Sequence, residues 1–212
     1  MERMHECANA RTIVAIGDST TAGTPAFRSP IEAPPSGAGN DESQYAYWLM
    51  KMHADWRVLN RGVNGERSDQ IRARFARDVV DAKPDVVVIL AGVNDIYQGR
   101  TAESVERELE AMYDAARAAR IPVVAATIIP YNTATGDENE RMHAVNGWVR
   151  EYAENHALAF CDTRAAVTAA GAPDRLTSSP DGLHPSPEGY RLMALAIEPA
   201  IKRALEKAQP LL

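Results

Sequence analysis

Five short apolar, β-branched runs alternate along the chain with segments of helical spacing: Thr12 to Ile16, Arg57 to Leu59, Asp85 to Ala91, Pro122 to Ile128 and Leu158 to Cys161. That alternation leaves few folds open, because strand and helix taken by turns build a parallel sheet covered by helices on both faces. Thr12 to Ile16 and Val86 to Leu90 are nearly all apolar, as strands buried on both sides must be. Val105, Leu109, Met112, Tyr113 and Ala116 recur at three and four residues, as do Tyr190, Met193, Ile197 and Ile201. Each set predicts a helix that buries one stripe. A chain of 212 residues with 45% hydrophobic content is sized for one α/β domain, residues 1–212.

The net charge of -6 disfavours a polyanionic partner, since nucleic-acid binding needs clustered Lys and Arg and here they are scattered among acids. No run approaches the length of a membrane span, and Met1 to Cys7 lacks the apolar stretch of a secretory signal, which predicts a cytoplasmic protein. Cys7 and Cys161 make no disulfide framework; neither is assigned a catalytic role, and Cys161 reads as a buried small hydrophobe. Thr24 to Ser43 is long and rich in Pro, Gly, Ser and acid, and it follows the first strand closely. It is expected either to rim or cover a site or to be a surface insertion.

In open parallel sheets, ligands bind beyond the carboxyl ends of the strands, where the strand-to-helix loops gather. Ser19 follows the first strand, Gly62 to Gly65 the second, Gly92-Val93-Asn94-Asp95 the third, Tyr131 and Asn132 the fourth, and Asp181 with His184 lies beyond the fifth. A serine hydroxyl needs a base, for which His184 is the candidate. Asp181, three residues earlier, can accept from its Nδ1 and fix the tautomer, while Pro185 and Pro187 restrain the turn. Acyl transfer also needs donors aimed at a developing oxyanion. The Ser19 N–H, a Gly65 N–H and the Asn94 amide are the candidates, with Gly62 competing for the glycine position. Tyr131 and Asn132 are placed at the rim, and Asp18 and Asp95 are read as turn anchors or helix caps.

With these residues in order, the chain resembles the SGNH hydrolase superfamily, the GDSL-type esterases and lipases. Gly17-Asp18-Ser19-Thr20, Asn64-Gly65, Gly92-Val93-Asn94-Asp95 and Asp181-Gly182-Leu183-His184-Pro185 are similar to its blocks, with Thr20 replacing the usual Leu. The resemblance implies a flavodoxin-like α/β/α sandwich on a five-stranded parallel sheet. It implies nucleophile Ser19, acid Asp181, base His184 and oxyanion donors Ser19, Gly65 and Asn94, with no metal or organic cofactor. The α/β-hydrolase fold is a poorer match, because the chain lacks a G-x-S-x-G elbow. The expected activity is hydrolysis of small or short-chain carboxylic esters through an acyl-enzyme. Thioesterase, lysophospholipase and carbohydrate O-deacetylase activities share that machinery. Two readings of other classes are a metal-dependent phosphoesterase built on Asp18, Asn94, Asp95, Asp181 and His184, and a binding module without turnover.

Overall fold

The computed structural model describes residues 10–208; Cys7 lies outside them. Its main sheet joins β1 (Arg11–Gly17), β4 (Trp56–Gly62), β5 (Val86–Leu90), β6 (Val123–Ala126) and β7 (Ala159–Cys161). The order is β4-β1-β5-β6-β7 and every pairing is parallel. Counting only these strands in chain order, the sheet reads 2-1-3-4-5, the flavodoxin-like winding whose order reverses between β1 and β5.

The uniform apolarity of β1 has a direct cause. Val14 and Ile16 join the core cluster under α3 (Ser68–Ala73), α5 (Ala102–Ala118) and α6 (Gly136–Asn155). Ile13 and Ala15 join the one under α2 (Tyr45–Met52) and α8 (Pro187–Ala208). One strand therefore feeds two cores, and each face demands an apolar side chain. Both predicted helical stripes, on α5 and α8, are buried throughout. Cys161 is buried too, and burial pushes its thiol up to about 12, as expected of an inert structural cysteine.

Two local expectations need correction. Asn60 to Gly62, beyond the predicted strand run of Arg57 to Leu59, continues β4, because the register extends until Gly17 pairs with Gly62. The turn begins one residue later. Thr24 to Ser43 is neither a cover nor a loose insertion. It forms a hairpin of β2 (Phe27–Arg28) and β3 (Ala38–Gly39), with a short 3₁₀ turn at Asp41–Ser43, and seats Phe27 and Ser29 in the protein interior.

Candidate active site

At the end of β1 the chain turns into a four-residue helix, α1 (Ser19–Ala22), capped by Asp18, whose Oδ1 accepts from the Thr20 N–H at 2.9 Å. Asp18 is fully buried, and its second carboxylate oxygen has no partner among the described residues. Burial pushes this carboxyl up to about 7, against the Thr20 hydrogen bonds and with a small push from the Asp95 charge. The short helix presents Ser19, 5% exposed, at the point where the sheet order reverses. Across that point, α4 (Val93–Tyr97) follows β5 and carries Asn94. Asp95 is the anchor the sequence suggested: its carboxylate accepts from the Ser68 N–H and hydroxyl, both at 2.8 Å, which ties α4 to the start of α3. Burial raises the Asp95 carboxyl as well.

His184 enters from the loop before α8. Its Nδ1 lies 2.7 Å from Asp181 Oδ2, and its N–H donates to Asp181 Oδ1 at 2.8 Å. Burial pushes the Asp181 carboxyl up, but the His184 ring and the Leu183 and His184 N–H groups outweigh it and hold the carboxyl below its usual range. Ser179 closes the turn, its hydroxyl donating to the His184 carbonyl at 2.6 Å and accepting from the Gly182 N–H at 2.8 Å. Asn132, expected at the rim, instead pins this turn: its N–H donates to the Gly182 carbonyl at 2.7 Å while its Oδ1 accepts from the Leu176 N–H at 2.8 Å.

Ser19, Asn94 and His184 line one cleft of about 150 Å³, with Thr20, Asn64, Val93, Tyr97, Tyr131 and Leu183. No residue of Thr24 to Ser43 is among them. Tyr97 is 59% exposed and meets Tyr131 edge to face, with ring centroids 5.8 Å apart. Tyr97 was not singled out by sequence, and Asn64 and Leu183 were named only as members of motif blocks. The only signal for Tyr97 was its position one helical turn past Asn94.

The choice between Gly62 and Gly65 turns on hydrogen bonding. From Gly62 to Ser68 the N–H groups of Gly62, Val63, Asn64, Glu66, Arg67 and Ser68 each have an acceptor: Asn60 Oδ1, Gly17 O, Glu32 Oε1, Val63 O, Gln70 Oε1 and Asp95 Oδ2. Among the described residues, only the Gly65 N–H in that run has none. Gly65 also holds φ of 78°, the left-handed region where glycine is favoured. Gly62 serves packing, since a Cβ there would lie 2.1 Å from the Ala22 nitrogen. The Ser19 N–H is similarly unengaged among the described residues. The Asn94 amide gives one hydrogen to the Glu66 carbonyl at 2.9 Å and keeps its second.

A five-stranded doubly wound sheet with a serine and a histidine in one cleft at the switch point defines a hydrolase of the α/β/α sandwich class. A model of the GDSL-like lipase/acylhydrolase family matches residues 15–192, and the chain belongs to that family; it is a carboxylic ester hydrolase. An acetylxylan esterase of Geobacillus stearothermophilus is 27% identical over 154 residues, covering 66% of this chain and 69% of its own. Among solved structures, a GDSL-like lipase from Bacteroides thetaiotaomicron VPI-5482 superposes with a TM-score of 0.75 at 22% identity, covering 92% of this chain and 89% of that one. The Geobacillus stearothermophilus acetylxylan esterase structure gives 0.72 at 23%, covering 91% and 94%. Among the described residues no helix is long and apolar enough to cross a membrane.

The five residues weighed as metal ligands are not gathered as one set. Asp95 is taken up by Ser68, Asp18 by the start of α1, and Asp181 by His184. Among the described residues no group of three or more His, Cys, Asp or Glu side chains could hold a metal ion.

Proposed function

We propose that the protein is a serine esterase acting on small acyl esters through an acyl-enzyme, with Ser19 as nucleophile, His184 as base and Asp181 as its orienting acid. The observation that carries this reading is the shared cleft: Ser19 and His184 line it together, and the far ring nitrogen of His184 is 2.7 Å from Asp181. His184 Nε2 takes the Ser19 proton as Oγ attacks the acyl carbon. The Ser19 and Gly65 N–H groups and the second Asn94 hydrogen stabilise the oxyanion. His184 then protonates the departing alcohol and activates water for deacylation. Among the described residues the Ser19 hydroxyl has no hydrogen-bond partner, and bound substrate brings it to the histidine. Residues 1–212 are read as one SGNH hydrolase domain, supported by a family match that spans most of the chain and a single main sheet.

The size of the cleft supports a short acyl group. At about 150 Å³ it falls below the roughly 300 to 1,000 Å³ of sites that enclose drug-sized ligands, and a fatty acyl chain needs comparable space. A second reading concerns the alcohol. The exposed Tyr97 ring at the rim offers a flat face to a sugar, and a curated relative is an acetylxylan esterase.

The testing experiment combines fluorophosphonate labelling of wild type and Ser19→Ala with a p-nitrophenyl ester series run beside acyl-CoA thioesters and acetylated xylooligosaccharides. Labelling should vanish in Ser19→Ala and turnover should peak at acetate or propionate. Labelling that survives the substitution rejects the nucleophile, and a preference for long chains or thioesters rejects the short-acyl reading.

A further inference from the structure

Arg74, at the C-terminal cap of α3, is 8% exposed and donates through four of its five N–H groups. Nη2 reaches the Gly17 carbonyl at 3.0 Å, the last residue of β1 and two before Ser19. Nη1 reaches the Arg61 carbonyl at 2.9 Å, near the end of β4, and the Asp78 carboxylate at 2.8 Å. Nε reaches Glu66 Oε2 at 2.6 Å. Glu66 directly follows Gly65, and its carbonyl is the acceptor that holds the Asn94 amide. One guanidinium thus touches the strand that leads into Ser19, the strand that leads into the Gly65 turn, and the residue that links Gly65 to Asn94.

We propose that Arg74 is a positioning residue for ester hydrolysis, setting the distance between the Ser19 nucleophile and the Gly65 and Asn94 donors. The proposal rests on the assignment of Ser19, Gly65 and Asn94 given above. Arg74 touches no reacting atom. It acts through two carbonyls and one carboxylate whose relative places fix where the oxyanion donors lie. Oxyanion stabilisation depends on donors at about 2.7 to 3.1 Å from the developing charge, and a misplacement of about 1 Å can cost on the order of 100-fold in rate. The brace is two-sided. On the outer flank of the same turn, Ser29 Oγ donates to the Gly62 carbonyl at 2.6 Å and Glu32 Oε1 accepts from the Asn64 N–H at 3.0 Å. Arg74 braces the turn from α3 and, of these three side chains, is the one that also reaches β1. A lysine has a single nitrogen on a flexible stem and cannot hold four acceptors in one plane.

A purely structural role predicts lower stability and little else, so the test separates the two. Arg74→Lys, Arg74→Met and Glu66→Gln are compared with Ile71→Val, a fully buried change on the same helix. Each is assayed well below its own Tm for kcat and KM on p-nitrophenyl acetate, and for inhibition by a boronic acid that forms a tetrahedral serine adduct. Both Arg74 variants should lower kcat on the order of 100-fold, leave KM within about threefold, and weaken the boronate in parallel. Ile71→Val should lower Tm and spare kcat. Folded Arg74→Lys with kcat and boronate affinity within about threefold of wild type would overturn the proposal. If Arg74→Met does not fold, Arg74→Lys and Glu66→Gln decide the matter by the same criteria. Ser19→Ala keeps the two levels apart: if it abolishes turnover and labelling while Arg74→Lys stays active, the site stands and the brace falls.

Discussion

Ser19 and His184 meet in one cleft but are held there by opposite means. Ser19 is held by the sheet: Gly17 pairs in register with Gly62 on one side and Leu90 on the other, and Asp18 and Thr20 beside it are buried. His184 is held by its own turn, through Asp181 and Ser179 within five residues and one strut from Asn132. Long-range packing fixes Ser19, whereas local hydrogen bonds fix His184. Errors in the apolar packing under Ser19 should cost folding first, and errors in the His184 turn should cost rate first. The two neighbouring aspartates show the same contrast, because Asp18 is raised by burial and Asp181 is lowered by its donors despite burial.

Asp181→Asn gives the sharpest separation. The expected loss of kcat is on the order of 10⁴-fold with near-native urea unfolding, since the turn lies at the surface. An unfolding midpoint that collapses along with activity would break the contrast. The next effect is on stability against pH. An acid raised in the folded state keeps its proton where the unfolded chain has lost it, so stability falls as pH rises from 3.8 toward about 7. For Asp18 that difference corresponds to about 4 kcal/mol. Asp18→Asn retains a capping oxygen and should remove this decline, so its advantage over wild type grows across that window. Parallel stability curves for the two proteins would refute it. Asp181 has the opposite sign: its contribution is present above 3.8 and is lost as pH falls through its lower folded value. Acid should therefore loosen the His184 turn before the Ser19 segment, which hydrogen exchange at the two places would resolve.

Ser179→Ala leaves the Gly182 N–H and the His184 carbonyl without their partner. It should cost about 1 to 2 kcal/mol of stability and on the order of tenfold in kcat, because the imidazole loses its register. Tyr97→Ala is expected to have the smallest effect, about fivefold in KM for acetylated xylooligosaccharides and none for p-nitrophenyl acetate, consistent with a single stacking face. An equal loss on both substrates would place Tyr97 on the acyl side instead.

The same contrast explains what could be read from the sequence. Strands buried on both faces leave an unbroken apolar record, so the sheet was readable, and strand ends mark where polar residues converge. The Asp181 and His184 contact was readable because it is local. The hairpin at Thr24 to Ser43 was not, because its contacts from Ser29 to Gly62 and from Glu32 to Asn64 span 33 and 32 residues and follow no period. Asn132 was misplaced for a similar reason. Its position after β6 was plain, but its hydrogen bonds go to Leu176 and Gly182, on segments that only the fold brings alongside. Arg74 is one of the Lys and Arg residues scattered among acids, and nothing in its neighbours' spacing shows that it is buried.

The β2 and β3 hairpin is fastened by residues that precede its tip, Ser29 and Glu32, while Pro34, Pro35 and Ser36 stand exposed and touch nothing in the cleft. Chain inserted at that tip lengthens a loop whose closure cost grows only slowly with length. The enzyme therefore carries, a few residues beyond its own brace, a tethering point where an affinity handle or a surface linker can be spliced in without disturbing the reacting groups.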